Sequence, residues 1–184
     1  SEMCIRDSVN IFSTSEAFAA LKADGSITAW GESSRGGSDY AGSNVPTDNG
    51  YVNVFSNDYA FAALKSDGSI TVWGNPHYGG STTNGSDYTG APTDSGYVNI
   101  VSIGGTFAAL KADGSITAWG SLNYGGSGAP TDTGYVKIFS NGGGFAALKA
   151  DGSITAWGYS GSNYTSAPTD TGYVKIFSAN SAFA

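Results

Sequence analysis

Apolar and polar positions along this chain alternate in short runs, and the runs recur in a fixed order. YVNVFS (Tyr51–Ser56), FAALK (Phe61–Lys65) and SITVW (Ser69–Trp73) are bounded by Gly, Asp, Asn or Ser. That pattern reads as three β-strands joined by turns. Period-two alternation places Val52 and Val54 on one face of the first strand. In the third, Ile70 and Val72 share a face while Thr71 and Trp73 share the other. Apolar residues on both faces predict a small sheet covered on both sides, as when sheets stack one behind another.

The same triplet returns along the chain. FAALKADGSITAWG at Phe18–Gly31 recurs at Phe61–Gly74, Phe107–Gly120 and Phe145–Gly158, and YVKIFS at Tyr173–Ser178 opens a fifth copy. Trp30, Trp73, Trp119 and Trp157 lie 43, 46 and 38 residues apart, a period that signals a propeller, a solenoid or an array. Between the second and third strands, Ala23–Asp24 predicts a type I turn followed by Gly25 in the left-handed region, with Gly68, Gly114 and Gly152 as its equivalents. Each unit returns through Pro-Thr-Asp-x-Gly-Tyr, at Pro46–Tyr51, Pro92–Tyr97, Pro130–Tyr135 and Pro168–Tyr173, whose residues favour a turn before the next strand. The tryptophans are expected to fill the space between neighbouring units.

Ala20–Lys22, Asp24–Gly25, Ala29–Gly31 and Pro46, repeated from about Val9 to Ala184, resemble the short-blade branch of the regulator-of-chromosome-condensation repeat family. Blade length is similar to that of the beta-lactamase-inhibitor propellers. The Gly-Gln-Leu-Gly-like signature of that family is reduced here to Gly36–Gly37, Gly79–Gly80 and Gly125–Gly126. The resemblance implies an all-β, β-propeller-type fold of about four and a half three-stranded blades. Its functional implication is broad, since the family holds exchange factors, enzyme inhibitors and surface repeats. Both chain ends offer first and second strands and neither supplies a missing third, so an open arc is expected, ahead of a β-solenoid or a closed five-unit ring.

Composition narrows the functions. The formal net charge is −7, with 15 acidic and 8 basic residues, which argues against a nucleic-acid partner. No apolar run is long enough for a spanning helix. One cysteine gives neither a disulfide framework nor a multi-cysteine metal site. Ser1–Ser8 carries that Cys4 and lacks the period. It resembles a translated sequencing adapter of the kind met in metagenomic reads and is set apart as a non-native leader, leaving one repeat domain over 9–184. The units divide at about 9–50, 51–96, 97–134, 135–172 and a partial 173–184.

Comparison between units separates scaffold from variation. The hairpin turn and the return are nearly constant. The link between strands one and two and the loop after Trp-Gly vary, and an up-down-up topology puts both on one rim. That rim carries Tyr40, Tyr59, Tyr78, Tyr88, Tyr124, Tyr159 and Tyr164, set among Ser, Gly and Asn as in an antibody paratope, with His77 beside Tyr78. The second unit's loop is longest and is expected to contribute most. Tyr51, Tyr97, Tyr135 and Tyr173 open strands and read as structural, and the lysines before the hairpin turns read as solvating the opposite rim. Asp48, Asp94, Asp132 and Asp170 supply one carboxylate per unit, too few for a calcium site within a unit. No nucleophile motif accompanies His77, and no carboxylate spacing argues a glycosidase pair. The expectation is a non-catalytic module without cofactor, binding a protein or glycan through the tyrosine rim. A structural spacer and an enzyme inhibitor are the alternatives. The setting expected is a larger secreted or cell-surface bacterial protein, with self-association through open ends.

Overall fold

Each complete repeat folds into a three-stranded antiparallel meander. The computed structural model describes residues 10–159, 167–179 and 183; the leader Ser1–Ser8 and Tyr164 lie outside them. Unit 1 contains β1 (Asn10–Ser13), β2 (Ala17–Leu21) and β3 (Ile27–Gly31), and unit 2 contains β4 (Tyr51–Ser56), β5 (Ala60–Lys65) and β6 (Ile70–Gly74). A two-residue strand β7 (Tyr88–Thr89) follows. Unit 3 contains β8 (Tyr97–Ile103), β9 (Thr106–Lys111) and β10 (Ile116–Ser121), and unit 4 contains β11 (Tyr135–Ser140), β12 (Gly144–Lys149) and β13 (Ile154–Gly158). β7 leaves the loop of unit 2 and pairs with β10, so the sheet of unit 3 has four strands in the order β7-β10-β9-β8.

The first strands β1, β4, β8 and β11 contact one another in succession. Ser56 Oγ donates to the Ser13 carbonyl at 2.6 Å and Ser102 Oγ to that of Ser56 at 2.7 Å. The sheets therefore fan outward from their first strands. No sheet closes the fan among the described residues, so the arc is open. Tyr173–Phe177 lies outside any strand and carries Ile176 against Ala146 and Leu148 of unit 4.

The core lies between units. Ala17, Ala19, Leu21 and Ile27 of unit 1 meet Tyr51, Val54, Phe61, Ala63 and Trp73 of unit 2. The other face of unit 2, with Ala62, Leu64, Ile70 and Val72, meets Tyr97, Ile100, Phe107 and Trp119 of unit 3. Both faces of the sheets of units 2 and 3 are covered, as the sequence of the third strand predicts, while unit 1 leaves Phe18 and Trp30 about half exposed on its outer face.

The first strand corrects the period-two reading. Tyr51 pairs with Lys65 and Asn53 with Leu64, leaving Val52 as an extra residue at a β-bulge. The bulge moves Val52 off the face of Val54, so it is 56% exposed while Val54 is 2% exposed. Val98 and Val136 repeat the exposure, and unit 3 and unit 4 repeat the register shift.

The hairpin turn has the expected form and a second duty. Gly68 N–H donates to the Lys65 carbonyl at 3.0 Å, the Asp67 carboxylate accepts from Ser69 N–H at 2.9 Å, and Gly68 has φ +79°. The Gly68 carbonyl then accepts from Tyr97 N–H of unit 3 at 3.1 Å. A Cβ on Gly68 would stand 2.5 Å from that nitrogen, so a side chain is excluded by conformation and by space together.

Candidate functional site

The two rims of the arc are built differently. On the turn-bearing rim, polar groups are consumed between each return segment and the strands of the unit that follows it. The Tyr51 hydroxyl meets Asp48 at 2.7 Å and Thr71 at 2.9 Å, and Lys65 pairs with the other oxygen of Asp48 while lying over the Tyr51 ring. Tyr97, Asp94, Thr117 and Lys111 repeat the cluster, as do Tyr135, Asp132, Thr155 and Lys149. The lysine hydrogen bond, ahead of the tyrosine hydroxyl, holds the Asp48 carboxyl below its ordinary value. Burial pushes the Tyr51 hydroxyl up to about 12. Lys65, Lys111 and Lys149 are thus tied to carboxylates rather than left to solvate the rim, which corrects the sequence expectation. Tyr51, Tyr97 and Tyr135 are structural, as read.

On the other rim, each post-tryptophan segment crosses to the following unit. Short 3₁₀ turns at Ser33–Arg35, Pro76–Tyr78 and Leu122–Tyr124 end in a left-handed glycine. The Gly36 carbonyl accepts from Trp73 Nε1 at 3.0 Å, and the Gly79 carbonyl from Trp119 Nε1 at 3.2 Å. Ser43 Oγ and Thr89 Oγ1 fasten the same loops farther on, to the carbonyls of Gly80 and Gly126. The crossing places the loops of units 1 and 2 beside the next unit's strand one-to-two link, Arg35 against Tyr59 and Tyr78 against Gly105.

Four of the predicted rim tyrosines form a stripe. Tyr59 stacks on Tyr78 at 4.1 Å between ring centroids, and Tyr124 lies 5.7 Å from Tyr159. Gly104 and Gly105 bridge the two pairs: a Cβ on Gly105 would be 2.3 Å from the Tyr78 ring and one on Gly104 3.9 Å from Tyr124. Asp58, Tyr59, Tyr78, Gly104, Gly105 and Tyr124 line a cavity of about 210 Å³. Arg35 of unit 1 sits over the Tyr59 ring, 4.2 Å from its centroid, and 3.8 Å from a Glu16 carboxylate oxygen. Tyr78 and Arg35 are too close to Tyr59 to share one face of it, so the ring is held between them.

The remaining rim residues stand elsewhere. Tyr88 is in β7, paired with Ser121, so the long loop of unit 2 is partly an edge strand. Its ring lies 4.8 Å from His77, whose Nδ1 is 3.1 Å from both oxygens of Asp87. No hydroxyl hydrogen-bonds to His77 among the described residues. Tyr40 forms an isolated bridge with Ser43 and makes no ring contact with the other described tyrosines. Tyr164 lies outside the described residues. No group of three or more His, Cys, Asp or Glu side chains comes together among the described residues.

Sequence reading missed Asn57 and Asp58. Asn57 is buried; its side-chain amide donates to the Tyr78 carbonyl at 2.8 Å, and its side-chain oxygen accepts from Tyr59 N–H at 2.8 Å. It therefore fixes both stacked tyrosines. The asparagine at the same place in SNGGG, Asn141, was a signal for this role, because a buried amide in a link needs a backbone partner.

Comparison with solved structures decides the architecture. The chain superposes on the CRINKLY WD40 ectodomain of the Arabidopsis thaliana receptor kinase ACR4 with a TM-score of 0.60 at 17% identity, covering 98% of this chain and 59% of that one. The fold is a partial β-propeller. Human WBSCR16 matches this propeller arc with a TM-score of 0.61 and 17% identity, over 86% of the arc and 50% of that protein. Prp20p from Saccharomyces cerevisiae matches with 0.58 and 16%, over 88% of the arc and 45% of that protein. The arc thus spans about half the length of these propellers. A match to yeast RCC1, the same Prp20, agrees with the repeat resemblance carried by Ala20–Lys22, Asp24–Gly25 and Ala29–Gly31. No family model and no curated protein sequence matches the chain.

Proposed function

We propose that the propeller arc is a non-catalytic protein-binding module whose contact surface is the tyrosine-bearing rim. The observation that carries this reading is the stripe Arg35–Tyr59–Tyr78–Tyr124–Tyr159, assembled across four units by the loop crossings. Half-buried Tyr59 and Tyr78 and exposed Tyr124 and Tyr159 provide contact area on a rigid support at small cost in side-chain entropy. Propellers of like fold are known in protein complexes: Prp20p was characterised with Gsp1p and histones, and yeast RCC1 was crystallised with Kap60. A secreted or cell-surface setting in a bacterium belongs to the same proposal.

The test is selection of binders from displayed peptide and protein libraries, with a glycan array run alongside. The counter-screen is the triple variant Tyr59→Ser, Tyr78→Ser, Tyr124→Ser. Protein or peptide binders that lose the triple variant support the reading. Binders that keep it, or binding confined to glycans, overturn it.

A second surface rests on a different observation. Trp30 is 44% exposed and Phe18 45% exposed, while the corresponding Trp73 and Phe61 are fully buried by the unit before them. At the other end, unit 4 borders an apolar cavity of about 220 Å³ lined by Ala146, Ile154, Ala156, Ile176 and Phe183 among others. We propose that another unit of the same kind covers the Phe18–Trp30 face. Light scattering across a concentration series reads this directly, and a strictly monomeric arc at all concentrations would count against association between copies.

A further inference from the structure

The cavity at the centre of the tyrosine stripe has the makings of a cation site. Three tyrosines and one acidic residue line it, Tyr59, Tyr78, Tyr124 and Asp58, together with Gly104 and Gly105. Aromatic faces carry negative charge density and attract a cation set against them, most strongly where water is partly excluded. Backbone contacts hold Asp58 in place: its N–H donates to the Gly104 carbonyl at 3.1 Å, and its own carbonyl accepts from Ser15 Oγ at 2.7 Å. Its carboxylate has no hydrogen-bond or ion-pair partner among the described residues. The volume, about 210 Å³, is below the roughly 300–1,000 Å³ of sites that enclose a whole small molecule. It suits one side chain of a larger partner.

The molecule already contains the interaction in miniature. Arg35 lies over the outer face of Tyr59 with Glu16 beside it, a guanidinium held by a ring and a carboxylate. The cavity brings tyrosine and aspartate together again beside the stack, with no cationic side chain among the described residues lining it. Lys65, Lys111 and Lys149 are committed to aspartates on the opposite rim. The net charge of −7 favours approach of a basic partner.

We propose that this cavity receives an arginine side chain of a partner polypeptide, its guanidinium against Tyr78 and Tyr124 and hydrogen-bonded to Asp58. The inference rests on the rim being the binding face. It adds the chemistry of the partner, a basic segment.

The test uses the whole chain and two capped pentapeptides, Gly-Ser-Arg-Ser-Gly and the same sequence with citrulline, which keeps the shape and removes the charge. Titrations are followed by NMR shifts of the tyrosine rings and the Asp58 and Gly104 amides. The arginine peptide is expected to shift these signals saturably, with Asp58→Asn and Tyr78→Ser each weakening binding about five- to tenfold. Asp58→Asn serves as the variant that leaves the fold intact, because its carboxylate has no structural partner. Equal binding of the citrulline peptide, or no saturable shift with arginine, overturns the proposal. If library binders depend on the three tyrosines and are indifferent to Asp58→Asn, the cation site is refuted while the rim reading stands. If no binder touches the tyrosines, the rim reading itself fails.

Discussion

Trp73 Nε1 donates a 3.0 Å hydrogen bond to the carbonyl of Gly36, 37 residues earlier in the chain and in the preceding unit. This bond describes how the arc holds together. Each tryptophan stacks on the phenylalanine opposite it within its own sheet, Trp73 on Phe61 at 5.0 Å and Trp119 on Phe107 at 5.3 Å. The unit before then closes over the pair. A unit therefore completes its neighbour's core rather than its own.

Position in the arc should set the cost of losing a tryptophan. Trp73→Ala and Trp119→Ala remove fully buried rings and are expected to cost about 3–5 kcal/mol each. Trp30→Ala removes a ring that is 44% exposed in the single arc and should cost less than half as much at concentrations where the arc is monomeric. Urea unfolding of the three variants makes the comparison. Equal costs would mean that Trp30 is covered in solution.

Gly68→Val combines two penalties. The left-handed conformation costs a non-glycine residue about 1–2 kcal/mol, and the added Cβ would collide with the backbone of Tyr97 at 2.5 Å. The loss should exceed the conformational cost alone and fall on the junction of units 2 and 3. Hydrogen exchange should show faster opening of the Tyr97 amide than in the parent. A loss below about 1 kcal/mol would show that the junction yields without cost.

The turn-bearing rim predicts a fall in stability at both ends of the pH scale. Lysine hydrogen bonds hold the carboxyls of Asp48, Asp94 and Asp132 below 3.8 in the fold. Groups lowered by folding stabilise above the unfolded value, and this contribution is lost as pH falls through the lowered ones. Tyr51 has the opposite sign. Burial raises it from 10.0 to about 12, so its contribution is complete below pH 10 and is lost as pH rises through about 12. Donating a hydrogen bond to Asp94 raises Lys111, and donating one to Asp132 raises Lys149, with the same sign as Tyr51. Denaturant midpoints should drop as pH rises from about 10 towards about 12, and Tyr51→Phe should flatten that limb in proportion to its share. An alkaline limb unchanged by Tyr51→Phe would contradict the assignment.

The rim tyrosines should separate binding from stability. Each of Tyr78→Ser and Tyr124→Ser removes an aromatic contact worth about 0.5–1.5 kcal/mol without opening the Phe-Trp layers between units. Thermal melting should fall by only a few degrees, since about 1 kcal/mol corresponds to roughly 2–4 °C at this length. Global unfolding of either variant would make these tyrosines scaffold.

Much of the scaffold was legible in the sequence because it follows local rules. Alternation marks the strands, Asp-Gly marks the hairpins, and Trp73 recurs where a large ring has to be buried. The bulge at Val52 was not legible, because an extra residue in a strand leaves no mark in its composition. The Lys-Asp pairs left a signal that alternation does not read, a constant separation of 17 residues in units 2, 3 and 4. Grouping the variable loops on one rim did bring Tyr59, Tyr78, Tyr124 and Tyr159 into one stripe. It could not tell Tyr88 from them, because whether a loop residue faces solvent or joins a neighbour's edge depends on where the loop crosses. Asp58 was missed because its partners, Ser15 and Gly104, come from other units.

The central claim is that the tyrosine stripe, held by interlocked units, is the surface at which this arc meets its partner. Hydrogen-exchange footprinting of the wild-type chain with a binder selected on it tests this most directly. The account predicts protection at Asp58–Tyr59, Tyr78, Gly104–Gly105 and Tyr124, with none at the hairpin turns of Gly25, Gly68 and Gly114. A footprint on those turns, or on the Phe18–Trp30 face alone, would contradict it.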